Sequence, residues 1–284
     1  MKTIKDVLTA SKEYLAKKGI PNARRPAEEV IAGALKLKRL DLYLDLDRPL
    51  VELELQQCRA FLQRRAAGEP IEYIIGEVEF FGCQLKVNPS VLIPRQETEI
   101  LVSKIAENLA KEPLEGKIFW DVCCGSGCIG IAIKKRFPEL EVVLSDLSEA
   151  ALRIAKENAE RTGVAVTFRP GDLLSPFQNF RAHFFACNPP YISEAEYATL
   201  DKEVKEREPP SAFIGGVTGL EFYQRLVKEL PQFLYPSAKV WFEIGYQQGP
   251  AVADLFSSSP WINAKVEADW AGHDRFFSAS FSPS

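Results

Sequence analysis

The sequence predicts an α/β protein, a parallel sheet covered by helices on both faces, with a smaller helical region ahead of it. Two observations carry this. From Gly116 onward, short apolar runs rich in β-branched and aromatic residues alternate with stretches of helical periodicity, the pattern of repeated βα units. Before about residue 70 the apolar spacing is helical only. The expected division is therefore a helical domain over residues 1–70, a β-hairpin linker over 71–93 and an α/β domain over 94–284.

In the first part, Ile4, Val7, Leu8, Ser11 and Leu15 follow helical spacing. Pro21 and Pro26 interrupt it. A second helix is expected over residues 27–37. A third, over 53–65, is stopped by Gly68 and Pro70. The run IEYIIGEVEFFGCQLKV, with Gly82 as a turn signal, reads as a hairpin or two short strands. A helix carrying Thr98, Ile100, Leu101 and Ile105 follows from about Pro94. Strands are then expected at residues 118–122, 141–145, 164–169, 182–187, 239–244, 264–268 and 275–279. Helices are expected at 130–137, 149–162, 220–230 and 250–257.

The chain has 284 residues, 46% apolar and 26% charged, with a formal charge of -4. That balance excludes a disordered chain, a collagen and a coiled coil. The acidic sum argues weakly against a protein that grips duplex DNA by its phosphates. No apolar run is long enough to span a membrane, so no membrane association is expected. The first residues are too charged for a secretory segment, and Asp6 and Glu13 oppose a transit peptide, so a cytoplasmic location is expected. Six cysteines in that setting read as reduced thiols. Cys123, Cys124 and Cys128 cluster, but no second Cys/His pair completes a zinc set, so no metal is expected. His183 reads as a core or edge residue and His273 as part of a turn. The charged run over residues 202–208 reads as a solvated loop.

Gly125-Ser126-Gly127-Cys128-Ile129-Gly130 follows the strand ending at Val122 and opens a helix. Glycines there let the backbone approach a nucleotide. Asp146 ends the next strand, where a carboxylate can accept from both ribose hydroxyls. Asp172 follows the third strand and can accept from an adenine amino group, with Leu173 covering the base. Three consecutive strand ends thus suit an adenosine ligand. S-adenosylmethionine fits better than a dinucleotide, because no pyrophosphate needs a helix N-terminus. A dinucleotide-dependent oxidoreductase would rest on the glycines alone.

The fourth strand end carries Asn188-Pro189-Pro190-Tyr191. A planar amide or aromatic amino nitrogen has a delocalised lone pair and is a poor nucleophile. Its N–H groups can instead be held by acceptors, so that the lone pair faces an electrophilic methyl. Asn188 offers a side-chain oxygen and Pro189 a backbone carbonyl, while Pro190 has no N–H to compete. Adjacent prolines restrict the backbone and pre-place these acceptors. Tyr191 offers a flat face to the planar group. On this reading Asn188, Pro189 and Tyr191 are catalytic, and residues 188–191 together bind the substrate.

Asn-Pro-Pro-Tyr after this glycine loop resembles the amino-group methyltransferases, which act on DNA, RNA or protein glutamine. Further segments narrow the resemblance. They are Gly68-Glu69-Pro70-Ile71, residues 91–99 (VLIPRQETE), Glu208-Pro209, residues 215–220 (GGVTGL) and residues 243–249 (EIGYQQG). Together they are similar to the HemK/PrmC family of peptide chain release factor N5-glutamine methyltransferases. The resemblance implies a Rossmann-like, seven-stranded S-adenosylmethionine-dependent methyltransferase domain behind a small helical domain. It implies methyl transfer to the glutamine of the Gly-Gly-Gln loop of class I peptide chain release factors, with S-adenosylhomocysteine as product. It implies a helical domain that helps engage the release factor, and no direct nucleic-acid substrate. Cys123, Cys124, Gly125, Ser126, Gly127, Asp146, Asp172, Leu173 and Asn188 would hold the cofactor. Residues 94–99 would help wall the pocket.

Two positions depart from the family pattern. Cys123 stands where glycine is usual, and a positive φ there would strain it. Gln96 replaces a proline, which would loosen that turn. The alternative function is an amino methyltransferase acting on DNA or RNA bases, which normally needs a recognition region and a basic cleft.

Overall fold

The computed structural model of the protein describes residues 1–283. The chain forms two compact units, Met1–Glu77 and residues 78 onward.

The first unit is built from α1 (Ile4–Lys17), α2 (Arg24–Leu35), α3 (Glu52–Ala66) and α4 (Ile71–Ile75). Thr3 and Asp6 form a reciprocal capping box that starts α1, with Thr3 N–H donating to the Asp6 carboxylate and Asp6 N–H to Thr3 Oγ1. Ile4, Leu15, Val30, Ile31, Leu42 and Cys58 make its apolar core. Helix α2 begins earlier than expected, and Pro26 lies inside it. Proline is tolerated there because N–H groups of the first turn have no helical partner. The buried Glu28 carboxylate of α2 accepts from Arg24, Arg39 and Tyr43. Residues 71–75, expected to be extended, instead form the short helix α4, ended by Gly76 in the left-handed region. A five-residue apolar run carries too little periodicity to separate helix from strand.

The second unit opens within β1 (Glu77–Phe80), which forms a hairpin with β2 (Cys83–Lys86). Phe80, Cys83 and Leu85 of the hairpin join the core of this unit. Then follow α5 (Gln96–Leu109), β3 (Ile118–Val122), α6 (Cys128–Arg136), β4 (Glu141–Asp146), α7 (Glu149–Thr162), β5 (Thr167–Pro170) and β6 (Ala182–Cys187). The rest comprises β7 (Ile192–Ser193), α8 (Glu194–Tyr197), α9 (Lys202–Arg207), β8 (Ile214–Gly216), α10 (Glu221–Glu229), β9 (Leu234–Glu243), α11 (Gly249–Leu255), β10 (Trp261–Ala268) and β11 (Asp274–Phe281).

Seven strands form one sheet in the order β10-β11-β9-β6-β3-β4-β5. The five strands β9, β6, β3, β4 and β5 are parallel, and β11 pairs antiparallel with β9 and β10. This is the seven-stranded α/β architecture expected. Alternating side chains divide between two cores. Phe119, Phe184 and Trp241 face the side of α5, α6 and α7, while Trp120, Phe185 and Phe242 face that of α10 and α11. The chain turns from one half of the sheet to the other between β3 and β6, and a crevice opens there beyond the carboxyl ends of the strands.

The expected solvated loop over residues 202–208 is corrected. Most of it is α9, and Glu208 is buried, accepting from Ile93 N–H and ion-paired to Arg95. A charge run in sequence does not reveal which member has a distant cation to meet. The small sheet of β7 and β8 was also not expected, because two- and three-residue strands leave no alternation to read.

Candidate active site at the carboxyl ends of the central strands

One cleft in the second unit gathers the four strand ends. Its lining includes Cys123, Cys124, Gly125 and Ser126 after β3, Asp146 and Leu147 after β4, Asp172 and Leu173 after β5, and Asn188 and Pro190 after β6. Val91, Leu92, Pro94 and Thr98 form another wall, and Pro209, Ser211 and Ala212 complete the rim. Gly127, Pro189 and Tyr191 are not part of the lining, so the cleft brings together all but those three of the expected residues.

The glycine loop is shaped by its neighbours. Asp146 Oδ2 accepts from Gly125 N–H at 2.8 Å and Oδ1 from Ser148 N–H at 2.8 Å. Burial pushes the Asp146 carboxyl above its ordinary range, and these backbone donors oppose the shift. Both oxygens keep lone pairs for further donors. A Cβ at Gly127 would lie 2.8 Å from Leu144 Cδ2, and one at Gly130 would lie 2.9 Å from Leu144 Cδ1. These two glycines therefore serve close helix–sheet packing, while Gly125 meets the cleft. Asp121 lies behind the loop, fully buried, and accepts from Gly130 N–H at 2.8 Å. Burial pushes its pKa up to about 7.

Cys123 has φ 59°, so the position does take the left-handed conformation that favours glycine. Its thiol neighbours that of Cys187, and burial together with that neighbour pushes the Cys187 thiol well up. Burial raises the Cys124 and Cys128 thiols too. All six cysteines are unpaired thiols.

Asp172 is half exposed and holds Arg225 through both carboxylate oxygens, at 3.2 and 2.7 Å. The pair fixes the carboxylate at the cleft wall. Leu173 is buried with φ 46°.

The turn after β6 is clamped from several directions. Tyr191 O–H donates to Glu243 Oε1 at 3.2 Å, and Asn188 Nδ2 donates to Thr98 Oγ1 at 3.4 Å. Thr98 O–H in turn donates to Glu243 Oε2 at 2.7 Å. Gln248 Nε2 donates to the carbonyls of Tyr191 and Gly219, at 2.8 and 3.2 Å, while its Oε1 accepts from Gly245 N–H at 2.9 Å. Gln96 occupies the first position of α5, where proline and glutamine are both accommodated. Ile93 and Arg95 are tied to Glu208, so the wall segment is held without the proline.

Sequence reasoning placed Thr98 only within the wall segment 94–99, and missed its link to Glu243 along with Glu243, Gln248 and Glu208 themselves. Each lies inside a segment that carried the family resemblance. Only the fold brings Thr98 and Glu243, which are 145 residues apart, within hydrogen-bond range.

Comparison with known proteins agrees with this geometry. Residues 6–76 match the family described as PrmC N-terminal domain, and residues 96–206 match the methyltransferase small domain. A release factor glutamine methyltransferase of Geobacter sulfurreducens is 40% identical over 96% of this chain and 95% of its own. One of Chlamydia trachomatis serovar L2 is 42% identical over 96% of this chain and 93% of its own. The chain belongs to the release factor glutamine methyltransferase family. Among solved structures, a methyltransferase from Pyrococcus furiosus shares the fold, with a TM-score of 0.52 at 16% identity, covering 81% of this chain and 99% of that one. Within the family framework, Cys123 is accommodated at a left-handed position without unwinding the loop, since Cys124 N–H still donates to Ser145 O at 3.0 Å.

Proposed function

We propose that this protein transfers a methyl group from S-adenosylmethionine to the side-chain amide nitrogen of the glutamine in the Gly-Gly-Gln loop of class I peptide chain release factors. The observation that carries the reading is the Asn188–Tyr191 turn, opening beside a glycine-loop cleft in a chain of this family. S-adenosylhomocysteine is the other product, and the cytoplasm is the location that fits a substrate of translation. Among the described residues, no helix is long and apolar enough to cross a membrane.

The cleft fits the methyl donor. Asp146 has acceptor capacity for ribose hydroxyls, and Asp172 and Leu173 stand where an adenine would lie. The backbone over residues 123–126 leaves the ligand room. When bound, the cofactor supplies an electrophilic methyl on a sulfonium. The chain's own residues do the rest. Asn188 Oδ1 and the Pro189 carbonyl accept the two N–H groups of the glutamine amide. This holds the nitrogen with its lone pair toward the methyl; one of the two amide protons leaves to water once the nitrogen is methylated, so no strong base is needed at the outset. Tyr191, anchored through its hydroxyl, holds the far end of the turn. Orientation of this kind contributes on the order of 7–11 kcal/mol in favourable cases. The helical unit, residues 1–77, serves in engaging the release factor.

The test is transfer of labelled methyl from S-adenosylmethionine to a purified class I release factor, beside the same factor with Gln→Ala in its Gly-Gly-Gln loop. Label on the first and not the second is expected. Label on DNA or RNA instead of either protein would move the assignment to a nucleic-acid substrate.

A further inference from the structure

Glu243 is 2% exposed and ends β9 on the side facing α5. Its two oxygens accept from two hydroxyls, Thr98 and Tyr191, and both hydroxyl residues touch the Asn188–Tyr191 turn. We infer that Glu243 acts through Thr98 as a positioning device that fixes which end of the Asn188 amide faces the substrate; this rests on the functional reading above.

The argument is an inventory of protons. Burial pushes the Glu243 carboxyl above its ordinary range, and the Thr98 and Tyr191 hydroxyls that donate to it oppose the shift; as a carboxylate it only accepts, and a threonine hydroxyl has one proton to give. That proton goes to Glu243, at 2.7 Å. Toward Asn188, Thr98 Oγ1 therefore acts only as an acceptor. The Asn188 group turned to it must be the NH2, and the Oδ1 is left for the cleft. The opposite flip would set an oxygen against an oxygen at Thr98 and point two donors at a substrate amide that brings donors of its own. Such a mismatch leaves polar groups unpaired in a buried site. The same carboxyl group holds Tyr191, so both ends of the turn refer to one fixed side chain. Thr98 lies on α5 and Glu243 on β9, so the device spans two elements packed together in the core rather than a loop.

The test compares wild type, Thr98→Val and Thr98→Ser as full-length proteins, with a class I release factor as methyl acceptor. Valine keeps the shape and removes the hydroxyl, and serine restores the hydroxyl. The expected result is a kcat lowered about 10- to 100-fold in Thr98→Val, the scale of a misoriented reacting group. Its melting temperature falls, because the buried Glu243 loses one of its two donors, and the serine variant restores it. Thr98→Ser recovers most of the rate, which a loss of packing would not allow. A Thr98→Val enzyme with wild-type kcat, or a serine variant as slow as valine, overturns the inference while leaving the functional reading in place. A wild-type enzyme that leaves the release-factor glutamine unmethylated overturns both.

Discussion

Gly215→Ala is a sharp probe of the turn after β6. Gly215 lies in β8, whose neighbour Ile214 pairs with Ile192 of β7. A Cβ built there would sit 2.4 Å from the Pro190 carbonyl oxygen and 3.0 Å from both the Pro190 carbonyl carbon and Tyr191 Cα. All three are backbone atoms, so no side chain can swing away. The residue is outside the left-handed region, so alanine brings no torsional strain of its own and the effect is purely steric. Reaching even a 3.0 Å contact requires the turn to move by about 0.6 Å. A displacement near 1 Å at a reacting group costs about 100-fold in rate, so kcat should fall roughly 10- to 100-fold. Overpacking should lower stability by about 1–3 kcal/mol. Gly215 is not in the cleft lining, so the Kd for S-adenosylmethionine should change little. Single-turnover methyl transfer, calorimetry and a denaturant melt measure the three quantities. Wild-type kcat in a folded Gly215→Ala protein would refute the claim that this strand sets the position of the acceptors.

Cys123→Val should destabilise the protein by about 1–3 kcal/mol and weaken cofactor binding, because a β-branched residue fits the left-handed region poorly. Cys123→Gly should stay close to wild type in both, and equal tolerance of the two would contradict the assignment of φ 59°. Asp121→Asn keeps an oxygen for Gly130 N–H but removes a buried charge. Because burial raises the folded-state pKa of Asp121 from 3.8 to about 7, the native state holds the proton more tightly, and wild-type stability falls as pH rises through that window. The cofactor-free variant should gain stability over wild type between pH 4 and pH 8, and parallel melting curves would refute this. Glu28 behaves oppositely. Burial raises its pKa, but hydrogen bonds from Tyr43, Arg24 and Arg39 and the Arg24 charge outweigh it, holding the carboxyl near about 2. Glu28→Gln should cost the helical unit about 1–3 kcal/mol at neutral pH. The deficit should shrink as pH falls from the ordinary 4.5 toward 2, checked by urea titration at several pH values.

The sheet was legible because buried parallel strands write continuous apolar runs, and residues 118–122 and 182–187 matched to the residue. The edges were less so. Strand β9 begins at Leu234, five residues before the expected 239, because Tyr235, Pro236 and Ser237 break its apolar run. Of the site, everything local to a strand end could be read, since a glycine loop or a proline pair announces its own geometry. The partners that hold those pieces could not. Glu243, Glu208 and Gln248 are ordinary polar residues in sequence, and only tertiary contact brings them to the partners that matter: donors for the two glutamates, carbonyls for Gln248. Asp172 lines the cleft, and its grip on Arg225, which depends on α10, 53 residues away, left no trace in the sequence.

The Gln248 clasp joins Tyr191, Gly219 and Gly245, which lie in three separate stretches of chain. The acceptor turn is therefore a composite object. Grafting its four residues onto another strand end would transfer the letters without the scaffolding that shapes them. The turn's geometry depends on α5, the end of β9 and the loop before α11 all being in place. Loosening any one of these would release the others as a single cooperative unit.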